Sequence, residues 1–246
     1  MRIPQPPAIA PLPRVSPTIY EMLRVCRARA AWAAFGERTA VPEHPMALLG
    51  TCFHAVMEKA VAGELPVEEA GRDAARLAFD QLVASRHGLA HPLLRTKFPS
   101  PDKLPYYNLF RERAALLASE AAQRRAAPPA GGSSAQAASD HADVLVETTL
   151  RSADGLLVGR PDRVNVQDAE VIDYKTGVAS EGDGWNVSDS ESRQLKLYVA
   201  LALDAGLRLA KGTIVRGDGR AATIRISSDE AEAEGQHARQ ELVSWS

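Results

Sequence analysis

Asp162, Asp173 and Lys175 stand inside what read as two short strands, GRPDRVNV and AEVIDYKTG, joined by a tight turn at Gln167–Asp168. Side chains alternate across a strand, so Asp173 and Lys175 share one face while Ile172 and Tyr174 share the other. If the turn pairs the two strands, Asp162 converges on Asp173. Adjacent carboxylates repel and lose hydration, a cost that a bound cation relieves. A divalent metal held by oxygen ligands is the economical explanation, and Lys175 beside it can orient a water or a phosphate. Pro161 fits an irregular strand, because proline in a sheet marks an edge or a bulge, and bulges re-aim side chains beside active sites. Taken singly, each residue also fits a plainer role: an Asp at a strand end as a surface turn, an Asp–Lys pair as a solvated salt bridge. The ordered set within one strand–turn–strand frame favours the metal.

The elements that must position these residues follow from patterning. In SPTIYEMLRVCRARAAWAAF, Ser16 reads as an N-cap and Pro17 as the first helical residue of one long helix carrying Arg24, Arg27 and Arg29. MALLGTCFHAVMEKAVAG reads as a second helix ending near Gly63, PVEEAGRDAARLAFDQLVASRHG as a third, and NLFRERAALLASEAAQRR as a fourth after the loop PSPDKLPYY. DVLVETTL, LLVGRPDRVNV and AEVIDYKT then read as three successive strands. SESRQLKLYVALALDAG is a helix capped near Ser190, KGTIVRGDGRAATIRI a hairpin, and DEAEAEGQHARQELVSW a final, mostly solvated helix. Helices, a three-strand meander, a helix and more strands make an α+β or mixed α/β sandwich with helices covering the sheet.

Within that frame other candidates take their places. His54 and Glu58 are four apart and share a helical face, as an exposed pair or with His54 turned to the site. Gln194 and Tyr198 share another, either as the polar edge of an amphipathic helix or beside the site. Glu147 lies on the strand before Asp162, and Arg160 and Arg163 flank it; with Arg24 and Arg27 these arginines can contact backbone phosphates.

Pro161–Asp162 followed by Asp173–Tyr174–Lys175 resembles the core motif of the PD-(D/E)XK nuclease superfamily. The chain more narrowly resembles its RecB-type branch, which includes the RecB and AddB nuclease domains and the CRISPR adaptation nucleases. VSPTIYEMLRVCRARAAW resembles the opening helix of that branch, LLGTCFHAVME its Gly-x-x-x-His segment, and RQLKLYVALAL its Gln-x-x-x-Tyr motif, as Gln194 and Tyr198. The resemblance implies a restriction-endonuclease-like core, with a central mixed sheet flanked by helices and an N-terminal helical region. It implies that His54, Asp162, Asp173 and the Tyr174 carbonyl bind Mg²⁺ or Mn²⁺, that Lys175 acts in catalysis, and that Gln194 and Tyr198 hold substrate. In relatives an acidic residue at the place of Glu147 can approach the metal. Metal-dependent hydrolysis of DNA, single-stranded or with free ends, is the expected activity. The setting would be prokaryotic repair, recombination or defence, with a helicase or other such proteins as candidate partners. An RNA-directed enzyme or a non-catalytic, nuclease-like subunit are the alternatives. Many relatives in the branch hold a four-iron cluster on four cysteines. Here Cys26 roughly matches the first and no cysteine follows Cys52, so no iron–sulfur cluster is expected and Cys26 is read as a packed core thiol.

The chain of 246 residues, 45% hydrophobic, suffices for one large domain. Its formal charge of −2 excludes a globally basic nucleic-acid binder, so any such surface is local. Two cysteines without a CxxC pair fit a reducing cytoplasm, and no apolar run suggests a membrane span. The expected organisation is a flexible Pro-rich leader over 1–14 and one domain over 15–246. Within the domain, helices occupy about 15–125, a low-complexity linker about 126–141, and the catalytic sheet with its helices about 142–246.

Overall fold

A computed structural model describes residues 10–36, 42–67, 70–126, 144–175, 186–216 and 220–245. The helices are α1 (Pro17–Val25), α2 (Arg27–Phe35), α3 (Pro45–Ala62), α4 (Ala70–Leu89), α5 (Pro92–Lys97), α6 (Tyr107–Ala126), α7 (Asp189–Asp204) and α8 (Ser228–Trp245). The strands are β1 (Val144–Val146), β2 (Leu150–Arg151), β3 (Val158–Gly159), β4 (Arg163–Asn165), β5 (Glu170–Lys175), β6 (Lys211–Arg216) and β7 (Ala221–Arg225). A five-stranded sheet runs in the order β1-β4-β5-β6-β7, with β2 and β3 forming a separate antiparallel pair. β1, β4 and β5 form an antiparallel meander; β5 and β6 are parallel, joined through α7; β6 and β7 are antiparallel. The fold is therefore the expected mixed α/β arrangement, a central mixed sheet flanked by helices.

Period-two alternation in β5 divides its residues between two cores. Val171 packs with Tyr20, Leu195, Leu201, Ile214 and Ala238 in the core that α1, α7 and α8 close. Ile172 and Tyr174 pack with Phe53, Phe79, Phe110 and Val215 in the core under α3, α4 and α6. Asp173 lies on the α7 face and is only 3% exposed. A carboxylate thus sits deep in the central strand, where the α7 helix must supply its partners.

Local chemistry sets the helix ends that frame the site. Ser16 caps α1, its hydroxyl accepting from Ile19 N–H, and Pro17 occupies the first turn, as the sequence predicts. α3 begins at Pro45 beneath a His44 cap and stops at Gly63, whose φ of 82° is the left-handed conformation that ends helices. α7 is capped by Ser188 in a reciprocal box with Glu191, two residues before the expected Ser190.

Several expectations need correction. The first helix is two: Cys26 is extended at φ −161° and ψ 110° and breaks the run. The break folds α2 so that Ala30 and Ala31 are buried and Arg27 reaches the end of α8, donating to the Ser244 carbonyl at 3.3 Å and hydroxyl at 3.0 Å. Cys26 is exposed, and Cys52 on α3 is the buried thiol, pushed up to about 11 by burial. The strand expected over DVLVETTL splits at Glu147 into β1 and β2, and LLVGRPDRVNV splits around Pro161 into β3 and β4. HPLLRTK, unassigned from sequence, forms α5, and the proline loop after it holds a 3₁₀ turn at Pro101–Lys103. α8 is mostly solvated, as expected, with one stripe of Ala231, Gly235, Ala238 and Leu242 buried. The leader is described from Ala10 onward, and that part is pinned: Leu12 is buried, and the Trp245 indole N–H donates to the Ala10 carbonyl at 3.0 Å. Residues 1–9, nearly all of the expected linker and the tip of the GDGR hairpin lie outside the described residues.

Candidate active site

Asp162 precedes β4 by one residue. The pairing of Arg163 with Ile172, continued one step, sets Asp162 opposite Asp173. Asp162 is clamped from two sides: its Oδ2 accepts from the Tyr174 amide at 2.6 Å, and its Oδ1 lies 3.1 Å from His54 Nδ1. α3 delivers His54 across the sheet edge, with the Phe53 ring edge-on to the imidazole at 5.6 Å. Glu147 completes the group. It has φ 47°, a left-handed conformation uncommon for a residue with a side chain. Its amide still donates to the Asp162 carbonyl at 3.0 Å while the chain turns out of β1. Ligand atoms of His54, Glu147 and Asp162 all lie within 4.8 Å of one another.

On the α7 side one amide braces three side chains. Gln194 Nε2 donates to Asp173 Oδ1 at 3.0 Å and to the Tyr198 hydroxyl at 3.1 Å, while its Oε1 accepts from Lys175 Nζ at 2.7 Å. The amide can face only this way, since an ammonium has no acceptor and a carboxylate no donor. The Tyr198 hydroxyl reaches the Arg160 carbonyl at 3.4 Å. Lys175 Nζ is also 2.8 Å from Asp173 Oδ2, an ion pair without hydrogen-bond geometry, so that buried oxygen has no hydrogen-bond donor.

The electrostatics describe a site short of positive charge. Burial, reinforced by the Asp162 charge and opposed by Arg160, pushes the Glu147 carboxyl up to about 7. Burial pushes Asp173 up to about 6, with Lys175 opposing and Asp162 adding to the rise. Burial pulls the His54 imidazole down, but the Asp162 hydrogen bond and the charges of Asp162, Asp173 and Glu147 outweigh it, so His54 sits above its ordinary value. The clustered His54, Glu147 and Asp162, with Asp173 in the same cleft, fit a hard divalent cation, which would offset the carboxylate charge and prefers oxygen donors.

These groups line one cleft of about 630 Å³. It gathers His54, Glu147, Arg160, Asp162, Asp173, Tyr174, Lys175, Gln194 and Tyr198. Arg160 is held there by carboxylates, its Nε 2.8 Å from Glu147 Oε2 and its Nη2 3.6 Å from Glu58 Oε1. Other candidates lie elsewhere. Arg163 pairs with Ile172 on the sheet face away from Asp173, and its Nε is buried without a hydrogen-bond partner. Arg24 stacks on Tyr20, 5.6 Å from the ring centre, and Arg27 is the partner of Ser244. Sequence reasoning missed Arg86 of α4, which lines the cleft. Only the packing of α4 on α3 brings it there, and no local pattern signals that. A second hollow of about 450 Å³ shares Lys175 and Gln194 with the cleft and takes in Arg29 of α2.

No helix among the described residues is long and apolar enough to cross a membrane. No curated protein matches the chain. The family model of the PD-(D/E)XK nuclease superfamily matches residues 14–244, nearly the whole chain, and its members typically hydrolyse nucleic acid with a divalent metal; the protein belongs to this superfamily.

Proposed function

We propose that the protein is a Mg²⁺- or Mn²⁺-dependent deoxyribonuclease of the RecB type, hydrolysing phosphodiester bonds in single-stranded DNA or at free ends. The observation that carries this reading is the convergence, in one cleft, of the His54–Glu147–Asp162 cluster with Asp173, Lys175 and Gln194. His54, Asp162 and Asp173 would hold the cation, with the Tyr174 carbonyl as a backbone ligand and Glu147 in reach. A divalent cation bound there supplies Lewis-acid chemistry, acidifying a water and neutralising charge on the phosphate oxygens. Water adds to phosphorus as one bridging P–O bond breaks; the water gives up a proton and the leaving oxygen takes one. Lys175, paired with Asp173 at 2.8 Å, orients the water and offsets charge that grows on the phosphate. Gln194 holds Lys175 and Asp173 in register. Arg160 and Tyr198 would contact the strand at the cleft wall.

A cytoplasmic repair, recombination or defence role fits this chemistry, with a helicase or similar protein as partner. With only Cys26 and Cys52 in the sequence, the protein would fold without an iron–sulfur cluster. The test is cleavage of end-labelled single- and double-stranded DNA, linear and circular, and of matched RNA, with Mg²⁺, Mn²⁺ or EDTA. Metal-dependent shortening of linear DNA, lost in Lys175→Ala, is expected. Cleavage that survives EDTA, or confinement to RNA, would overturn the reading.

A further inference from the structure

α3 carries a glycine for which its own packing has no use. Gly50 sits well inside the helix that runs from Pro45 to Ala62, where glycine is the least favourable residue short of proline. At other glycines packing demands the residue, although Gly88, next to the last residue of α4, also has open space at its Cβ position. A Cβ at Gly71 would lie 2.3 Å from the Pro66 carbonyl, and one at Gly212 would lie 2.9 Å from Leu195. A Cβ at Gly50 meets no described atom within 4 Å. Gly50 instead faces the cleft, one helical turn before His54.

The same wall ends at Arg86, in the last turn of α4. Arg86 is exposed and has no carboxylate partner among the described residues, whereas Arg160 is held by Glu58 and Glu147 and Lys175 by Asp173. The carboxylates of the cleft repel a phosphodiester, and Arg86 is the cation placed to offset them at this end.

Resting on the nuclease reading above, we propose that the substrate strand crosses α3 at Gly50. The nucleotide next to the scissile phosphate lies directly on the helix surface, and Arg86 takes its phosphate. Glycine is then present because a side chain would occupy the path of the strand, at a cost in helix stability.

Three variants, Gly50→Ala, Gly50→Leu and Arg86→Ala, test this with three readouts. Thermal melts come first: Gly50→Ala should melt about 2–4 °C higher than wild type, as expected for removing a mid-helix glycine. The second is cleavage of a single-stranded oligonucleotide against bis(p-nitrophenyl) phosphate, a diester with no flanking nucleotide. Gly50→Leu should lower oligonucleotide kcat/KM by about a hundredfold, and by at least about tenfold more than it lowers hydrolysis of the small diester. The third is binding of a fluorescent oligonucleotide across a salt series, with Ca²⁺ replacing Mg²⁺ to hold off cleavage. Arg86→Ala should reduce the slope of log affinity against log salt by about 0.7, the loss of one single-strand phosphate contact. A Gly50→Ala protein that melts lower, equal losses on both substrates with Gly50→Leu, or an unchanged salt slope with Arg86→Ala would overturn the track. If wild type cleaves neither substrate, the nuclease reading fails and the binding series decides alone. Weaker binding with the shallower slope upholds the track; unaltered binding, or no binding by wild type, overturns it.

Discussion

Asp173 Oδ2 concentrates the chemistry of the site: it is buried, it faces Lys175 Nζ at 2.8 Å, and it lacks a hydrogen-bond donor. A buried carboxylate next to a second one is costly even with a lysine beside it, so the residues around it should respond to anything that adds positive charge. Lys175→Ala removes a group whose worth lies in the transition state. Cleavage should fall by about a hundredfold or more while folding and nucleic-acid binding persist. Near-normal turnover in single-turnover assays would remove Lys175 from the chemistry. The same residues set a pH dependence. Asp173 and Glu147 fold with carboxyls raised to about 6 and about 7, and His54 folds with a raised imidazole. For each, stability is full below the unfolded value and is lost as pH rises through the folded one. Carboxylates held down in the fold, such as Asp154 and Glu191, act the other way, but only below about pH 4. The metal-free protein should therefore lose melting temperature between about pH 5 and about pH 8. Asp173→Asn should make that decline shallower. A flat or rising profile in EDTA would contradict the assignment of these shifts.

At the scale of elements, the site depends on α7 lying close on β5 and β6. Gly212 makes this possible, since a Cβ there would come within 2.9 Å of the Leu195 Cβ, next to Gln194. Gly212→Ala should cost about 1–3 kcal/mol in denaturant unfolding, as overpacking does, and should also lower cleavage by displacing Gln194. Full stability would mean that α7 shifts freely, which its brace on Lys175 and Asp173 argues against. Cys26 marks the break between α1 and α2 and is exposed, so Cys26→Ser should change stability by no more than about 0.5 kcal/mol. A larger loss would show that the break itself requires the thiol.

Across the whole molecule, what was legible in the sequence follows the range of the interactions. The shared face of Asp173 and Lys175, and the approach of Asp162, follow from alternation and one short turn, and the structure has them so. The two-sided covering of the sheet followed from the order of helices and strands. Glu147 read from local pattern as a strand residue, and its place near the metal came only from the resemblance, because its direction is set by a left-handed backbone where β1 leaves the sheet. Arg24 and Arg27 drew attention as helical cations, but Arg24 turns to Tyr20 one turn back on α1, and beyond the break at Cys26 Arg27 reaches Ser244. Arg86 was invisible because its place depends on how α4 docks against α3, a tertiary contact that no pattern within either helix encodes.

The metal site is the central claim, and folding stability reads it most directly. A cation that binds only the folded protein raises its melting temperature by mass action. Wild type, melted at about pH 8 so that the site carboxylates ionise, should gain melting temperature on adding millimolar Mn²⁺ or Mg²⁺. Asp162→Asn can keep hydrogen bonds to Tyr174 and His54 but removes one of the clustered charges and one ligand. It should melt as high as wild type or higher in EDTA, gain little from metal, and fail to cleave. A lower melting temperature in EDTA, together with equal metal-induced shifts in both proteins, would make Asp162 an ordinary structural partner and contradict the metal centre.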